Sequence, residues 1–249
     1  PSLPVTGVNS EINEAFAALF QTFNLAGRTA NLIFEAPYVW GETRGTLGEE
    51  TLLDRDFDGL GDMALTLSAN LLGAPSMDRE AFAALRADPD PILGASLRVV
   101  APTGDYNNDR IVNVGANRWA GKAELGYIHP INPRWLFEVE IGAWVFDDDD
   151  DFVRGKREQD PIYSGEVHLI RRFRPGFWAS LDLNYYEGGQ STVDGENLDD
   201  LQRTSKYGVT LVIPNNKGQA VKFVYSGGSA SGDGNNFDSI LVSFNTRLR

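Results

Sequence analysis

From about residue 28 onward the chain repeats one pattern, in which about 9 to 13 residues of alternating character are followed by a turn or an acidic loop. Alternation with period two sends successive side chains to opposite faces of a β-strand, so such a strand borders two different environments. In 134–146 one face carries Trp135, Phe137, Val139, Ile141, Ala143 and Val145, and the other Leu136, Glu138, Glu140, Gly142 and Trp144. In 177–186 Phe177, Ala179, Leu181, Leu183 and Tyr185 oppose Ser180, Asp182 and Asn184. Tyr163, Val167 and Leu169 oppose Ser164, Glu166 and His168, while Ile240, Val242 and Phe244 oppose Ser239, Ser243 and Asn245. The Ala-rich segment 12–23 fits helix or strand; read as a strand it brings the count to eleven.

The connections alternate in length. Short ones at 25–28, 129–133, 174–176 and 214–218 hold the Pro, Gly and Asn of tight turns. Long polar ones fall at about 41–61, 103–115, 147–160, 187–203 and 226–236. The stretch 73–91 breaks the rule, and a short helix near 77–86 is expected there, with Ser76 as a cap and Met77, Ala81, Ala84 and Leu85 on one face.

Short turns at one end and long loops at the other are the arrangement of bacterial outer-membrane barrels, in which apolar residues face lipid and polar ones face a lumen. Closure of the sheet would leave no backbone group unpaired in hydrocarbon. The expectation is therefore all-β: one antiparallel up-and-down transmembrane barrel over residues 1–249, in the outer membrane of a Gram-negative bacterium. Even strand number with periplasmic termini would require twelve strands, eleven of them in this chain and the first before Pro1. The competing arrangement is a soluble β-barrel or sandwich with its apolar faces packed inside.

Composition agrees once it is sorted by parity. A mean hydropathy of -0.27 and the absence of a ~20-residue apolar run exclude helical spans only. With 42% hydrophobic and 11% aromatic residues the chain is too apolar for disorder. A net charge of -13 argues against a nucleic-acid partner, since phosphate contacts need clustered Lys and Arg. Having no cysteine removes disulfides and Cys-based metal sites, and His129 and His168 are the whole histidine supply.

Several motifs resemble the MetA-pathway phenol-degradation family: GASLRVVAPTGDYN (94–107), VNVGANRWAGKAELGY (112–127), DDDDDFVRGKREQDPIY (147–163) and NYYEGGQSTVDG (184–195), with GLGDMALTLSANLLGAP (59–75) similar to an earlier segment. The resemblance covers about residues 25–249 and implies an outer-membrane β-barrel associated with the catabolism of aromatic compounds and acting in transport. Members tend to end on an aromatic residue, whereas this chain ends Thr246-Arg247-Leu248-Arg249.

By alternation the lumen or solute path is expected to hold Arg98, Lys122, Glu124, Glu138, Glu140, Glu166, His168, Arg172, Asp182 and Lys222, with Asn31, Glu35, Asn184 and Lys206 also inward. Both charge signs are present, so the set is compatible with a charged path or with interlocked ion pairs that plug a narrow barrel. The first reading makes the protein a passive channel for small hydrophobic or aromatic solutes. The second makes it a structural barrel whose acidic loops meet a protein partner, divalent cations or lipopolysaccharide. DRDFDGLGD suggests a calcium site at Asp54, Asp56, Asp58 and Asp62, although Leu65 stands where an EF-hand needs an acid. No cofactor is otherwise expected. Enzyme activity is not expected either, because Ser164 and His168 on one strand lie over ~13 Å apart.

Overall fold

The computed structural model describes residues 5–47, 51–110, 113–152, 155–215, 219–230 and 235–246. Its elements in chain order are β1 (Val5–Leu25), β2 (Arg28–Leu47), β3 (Thr51–Leu60), β4 (Ala64–Leu72), α1 (Arg79–Ala87), β5 (Ile92–Val100), β6 (Ala120–Asn132), β7 (Trp135–Phe146) and β8 (Asp149–Phe152). There follow β9 (Gly155–Gln159), β10 (Ile162–Arg174), β11 (Phe177–Gly188), β12 (Ser191–Val193), β13 (Glu196–Asn197), β14 (Gln202–Pro214), β15 (Ala220–Ala230) and β16 (Asn235–Asn245). Eleven strands form one curled antiparallel wall in the order β1-β2-β4-β5-β6-β7-β10-β11-β14-β15-β16, with β3 paired to the outer half of β2.

The wall is apolar outside and polar inside. Ile141 is 59% exposed, Leu181 59%, Leu183 62% and Ile240 79%, while the buried hydrophobic side chains among the described residues are only Ala30, Ala64, Ala74, Ile162, Val193 and Val212. A water-soluble sheet would bury such a face, and one this extensive marks contact with lipid. Tyr163 and Phe173 stand on the outward face at opposite ends of β10. Ten residues at ~3.3 Å each and a ~40° tilt place these rings ~25 Å apart in height, the height of a lipid-facing band. Arg171 lies over the Trp135 and Phe173 rings at the lower end, at 4.9 and 5.5 Å.

The short turns have the chemistry their geometry needs. Ala26 (φ 50°) and Gly27 (φ 84°) make the two-residue β1–β2 turn, with Gly27 N donating to Asn24 Oδ1 at 2.7 Å. The β6–β7 turn lies later than the sequence suggests: His129 and Pro130 remain in β6, and Asn132 Oδ1 accepts from Arg134 N and Trp135 N at 2.9 and 3.1 Å. Helix α1 begins at Arg79, and its cap is Asp78 rather than Ser76, with Asp78 accepting from Ala81 N at 2.8 Å.

The long connections require the main corrections. Residues 41–61 are largely strand, because β2 continues to Leu47 and β3 runs back along it from Thr51↔Leu47 to Leu60↔Tyr38. Segments 147–160 and 187–203 contribute β8, β9, β12 and β13, a separate four-stranded sheet at the long-connection end. Within 226–236, β15 extends to Ala230 and β16 starts at Asn235. Segment 101–119 remains irregular over its described residues. The turn expected at 214–218 lies in part outside the described residues.

Candidate functional site

Antiparallel register converts the inward residues of four neighbouring strands into one surface. Glu140 on β7 is opposite Gly126 on β6 and Glu166 on β10, and Glu138 is opposite Ile128 and His168. Across the next pair, His168 faces Asp182 and Glu166 faces Asn184. Directly opposite residues share a face, so these charges meet side by side on the inner wall.

Glu166 is the hub. Lys122 Nζ donates to its Oε1 at 3.3 Å and also pairs with Glu124. Tyr186 hydroxyl donates to the same Oε1 at 3.1 Å, and Asn184 Nδ2 to Oε2. Lys122 is 8% exposed and lies 5.8 Å from the Trp144 ring centroid. His168 Nδ1 is 2.7 Å from Asp182 Oδ1, which accepts, leaving Nε2 turned towards Glu166 Oε2 at 4.0 Å. Thr210 Oγ1 donates to Asp182 at 3.0 Å, and Ser180 bonds the same carboxylate rather than the imidazole. Glu138 and Glu140 have no cation within ion-pair distance among the described residues.

Two inner cavities adjoin Glu138. One of about 270 Å³ also meets His168, Trp178, Lys206 and Lys222. The other, about 200 Å³, meets Ser68, Asn70, Glu124 and Glu140. The structure therefore gathers Lys122, Glu124, Glu138, Glu140, Glu166, His168 and Asp182 into one arc, with Lys222 along the first cavity. Arg98 on β5 is opposite Lys122 at the edge of the arc, paired with Glu35 and donating to Thr66 Oγ1 at 3.3 Å. Arg172 is at the short-turn rim, where Nη2 donates to Pro133 O at 2.7 Å and to Arg86 O at 2.9 Å.

The inward face is not uniformly polar. Phe16 and Phe20 on β1 register with Pro37 and Ile33 on β2, on the face shared with Glu35. Their rings are 39% and 62% exposed.

Of the four aspartates read as a calcium loop, Asp56, Asp58 and Asp62 are not drawn together, and the Asp54 side chain lies outside the described residues. Asp54, Asp56 and Asp58 register along β3 opposite Arg44, Glu42 and Trp40, and alternate residues of a strand lie ~7 Å apart. Asp58 accepts from the Tyr38 hydroxyl at 2.7 Å. Asp62 accepts from Gly104 N at 2.8 Å and Ala116 N at 2.7 Å, which fixes the 101–119 connection to the break between β3 and β4.

Sequence reading missed the group under the four-stranded sheet. Asp149, 3% exposed, accepts from Tyr106 hydroxyl at 2.9 Å and Asn117 Nδ2 at 2.8 Å. Burial, reinforced by that bond to Asp149, pushes the Tyr106 phenol up to about 12. Arg118 stacks over Phe146 at 4.8 Å and bonds Gln159; burial and the neighbouring Arg157 lower its guanidinium to about 10. The available signal was the density of Asp, Asn and Arg in 105–118 and 147–160, which says nothing about partners until the loops are folded.

Comparison with known proteins agrees with this architecture. The profile of a family described as "Putative MetA-pathway of phenol degradation" matches residues 5–243. An outer membrane channel from Pseudomonas putida F1, known from its crystal structure, superposes with a TM-score of 0.73 at 23% identity, over 94% of this chain and 82% of that one. A search of curated proteins found no match.

Proposed function

Since the chain belongs to the MetA-pathway phenol-degradation family, we propose that it is a passive channel of the Gram-negative outer membrane for small hydrophobic or aromatic, phenol-like solutes. The observation that carries this reading is the inside-out wall, with Ile141, Leu183 and Ile240 outward and Glu140, Glu166 and Asp182 inward. The likeness to a solved outer membrane channel supports the same placement. Nonpolar rings at Phe16 and Phe20, on the same inner face four strands round from β6, and the charged arc offer a solute with an apolar body and a polar end a surface for each. Arg98, Lys122, Glu124, Glu138, Glu140, Glu166, His168, Asp182 and Lys222 are assigned to the wall of the path, and Arg172 to its short-turn mouth.

In this reading lipid covers the outward face, and divalent cations bridge the acidic outer strands to lipopolysaccharide. The test is purified protein in planar bilayers and in liposomes: stepwise conductance and uptake of phenol above protein-free vesicles are expected. A second reading, a closed structural barrel, is favoured by the four-stranded sheet at one end and α1 at the other. An electrically silent barrel that excludes phenol would establish that second reading and overturn the first.

A further inference from the structure

Five carboxylates, Glu124, Glu138, Glu140, Glu166 and Asp182, share the inner arc with Lys122 and His168. Lys122 is consumed by Glu124 and Glu166. His168 leans on Asp182. Among the described residues Glu140 has no cation within ion-pair distance and its bond is to another carboxylate, Glu138, although carboxylates out of bulk water require a counter-charge. Glu140, Glu166 and His168 each offer one ligand atom, and the three atoms lie within 4.8 Å of one another. We propose that Glu140, Glu166 and His168 form a binding site for a transition-metal dication of the zinc class on the inner wall.

The surroundings have the features such a site requires. Asp182 accepts from His168 Nδ1 at 2.7 Å, which fixes the tautomer and presents the Nε2 lone pair to the two glutamates. A carboxylate behind a histidine in this way orients the ring and raises its basicity as a ligand. Tyr186 and Lys122 hold Glu166 Oε1, and Asn184 holds Oε2, the oxygen that faces His168 Nε2 at 4.0 Å. Space is provided by glycine: a Cβ at Gly126 would meet Glu140 Cγ at 3.4 Å, and one at Gly142 would meet Glu124 Cγ at 2.8 Å and Ser164 Oγ at 3.0 Å. Ser164, 8% exposed and two residues along β10 from Glu166, has a buried hydroxyl with no hydrogen-bond partner among the described residues. It lies beyond Glu166 from His168 and is outside the ligand set.

The donor set selects the class of ion. One imidazole nitrogen and two carboxylates suit zinc and its neighbours, whereas magnesium and calcium favour all-oxygen shells. Three protein ligands would leave a tetrahedral ion one position open to the lumen. The site is independent of whether the barrel conducts.

The test is calorimetric titration of zinc chloride into the full chain folded in detergent micelles. The expected result is one saturable equivalent, with affinity at least tenfold lower in both His168→Gln and Glu140→Gln. Asp182→Asn should weaken binding ~10- to 100-fold, as loss of an orienting carboxylate does. Cobalt(II) should give visible absorption bands that disappear in His168→Gln, and calcium should not displace it at equal concentration. Heat-modifiable gel mobility identifies variants that fold, and Glu80→Gln, an exposed acid in the first turn of α1, should bind as the parent does. Absence of saturable zinc binding, or undiminished binding in folded His168→Gln, overturns the proposal. Because no transport is measured, a silent barrel that binds zinc fails only the channel reading, and a conducting barrel that does not bind fails only this one.

Discussion

The Arg172 guanidinium donates to the main-chain oxygen of Arg86 at 2.9 Å, across more than eighty residues of chain. Arg86 returns the contact, donating to Arg174 O at 2.9 Å. Helix α1, inserted between β4 and β5, is thereby tied to the end of β10 three strands further round the wall. Most of the helix is exposed, Phe82 at 57%, so these bonds rather than packing hold it. Arg172→Ala removes donors to both Arg86 and Pro133, and a hydrogen bond from a charged donor contributes ~1.5–3 kcal/mol. Amide exchange in α1 should rise by an order of magnitude or more while that in β10 and β11 stays unchanged.

Charge reversal at Glu138 and Glu140, which bond each other and no cation among the described residues, should alter permeation. Glu138→Lys places a cation where both cavities meet the wall, and Glu140→Lys one on the wall of the second. Reversal potentials in a potassium chloride gradient should move towards anion preference by several-fold in permeability ratio. Stability changes at unaltered reversal potential would remove these residues from the path.

Lys122 should be more important to stability than any surface cation. It is 8% exposed and shared between Glu124 and Glu166. Lys122→Met leaves both carboxylates without it, and breaking a buried pair costs ~3–5 kcal/mol. Urea unfolding from phospholipid vesicles measures this loss. Adding Glu124→Gln and Glu166→Gln to Lys122→Met should recover a large part of it.

The outward face should reject charge according to depth. Ile141 lies mid-strand on the apolar side of β7 at 59% exposure. Ile141→Arg should reduce folding stability in vesicles by ~2–4 kcal/mol. Equal stability of the variant and parent in bilayers would contradict lipid contact there.

Tyr106 sets an alkaline limit on the outer sheet. Its folded pKa of about 12 exceeds the ordinary value of 10.0, so the folded state retains the phenolic proton more tightly than the unfolded chain does. The stabilisation from this group is complete below pH 10 and is lost as pH rises through about 12. Difference absorbance of the parent against Tyr106→Phe should show one phenol titrating near that upper value.

How far the chain could be read depended on what each residue pattern can encode. Alternation at Phe137, Glu138, Val139 and Glu140 has one geometric meaning, and the structure has that parity. Asp54, Asp56 and Asp58 alternate too, but an acid at every second position also opens a calcium loop, and only the pairing of β3 with β2 decides between them. The HPINP segment reads as a turn, yet Pro130 pairs with Leu136 and the reversal waits for Asn132 to cap it. Strands β12 and β13, with three and two residues, are too short for any period to show. Inward position was readable for Glu140, Glu166 and His168 one strand at a time. Their meeting was not, because register between strands follows from turn lengths that the sequence left a residue or two uncertain.

Strand β2 has 20 residues, while β4, beside it, has 9. A tilted crossing needs only ~9–11 residues, so roughly half of β2 rises beyond the bilayer, carrying β3 and the far half of β1 with it. The rim is consequently a slope. On one flank stands a tall, polar screen rooted in the wall, and next to it the barrel is cut low. In the proposed channel reading, that screen borders the opening on one flank only.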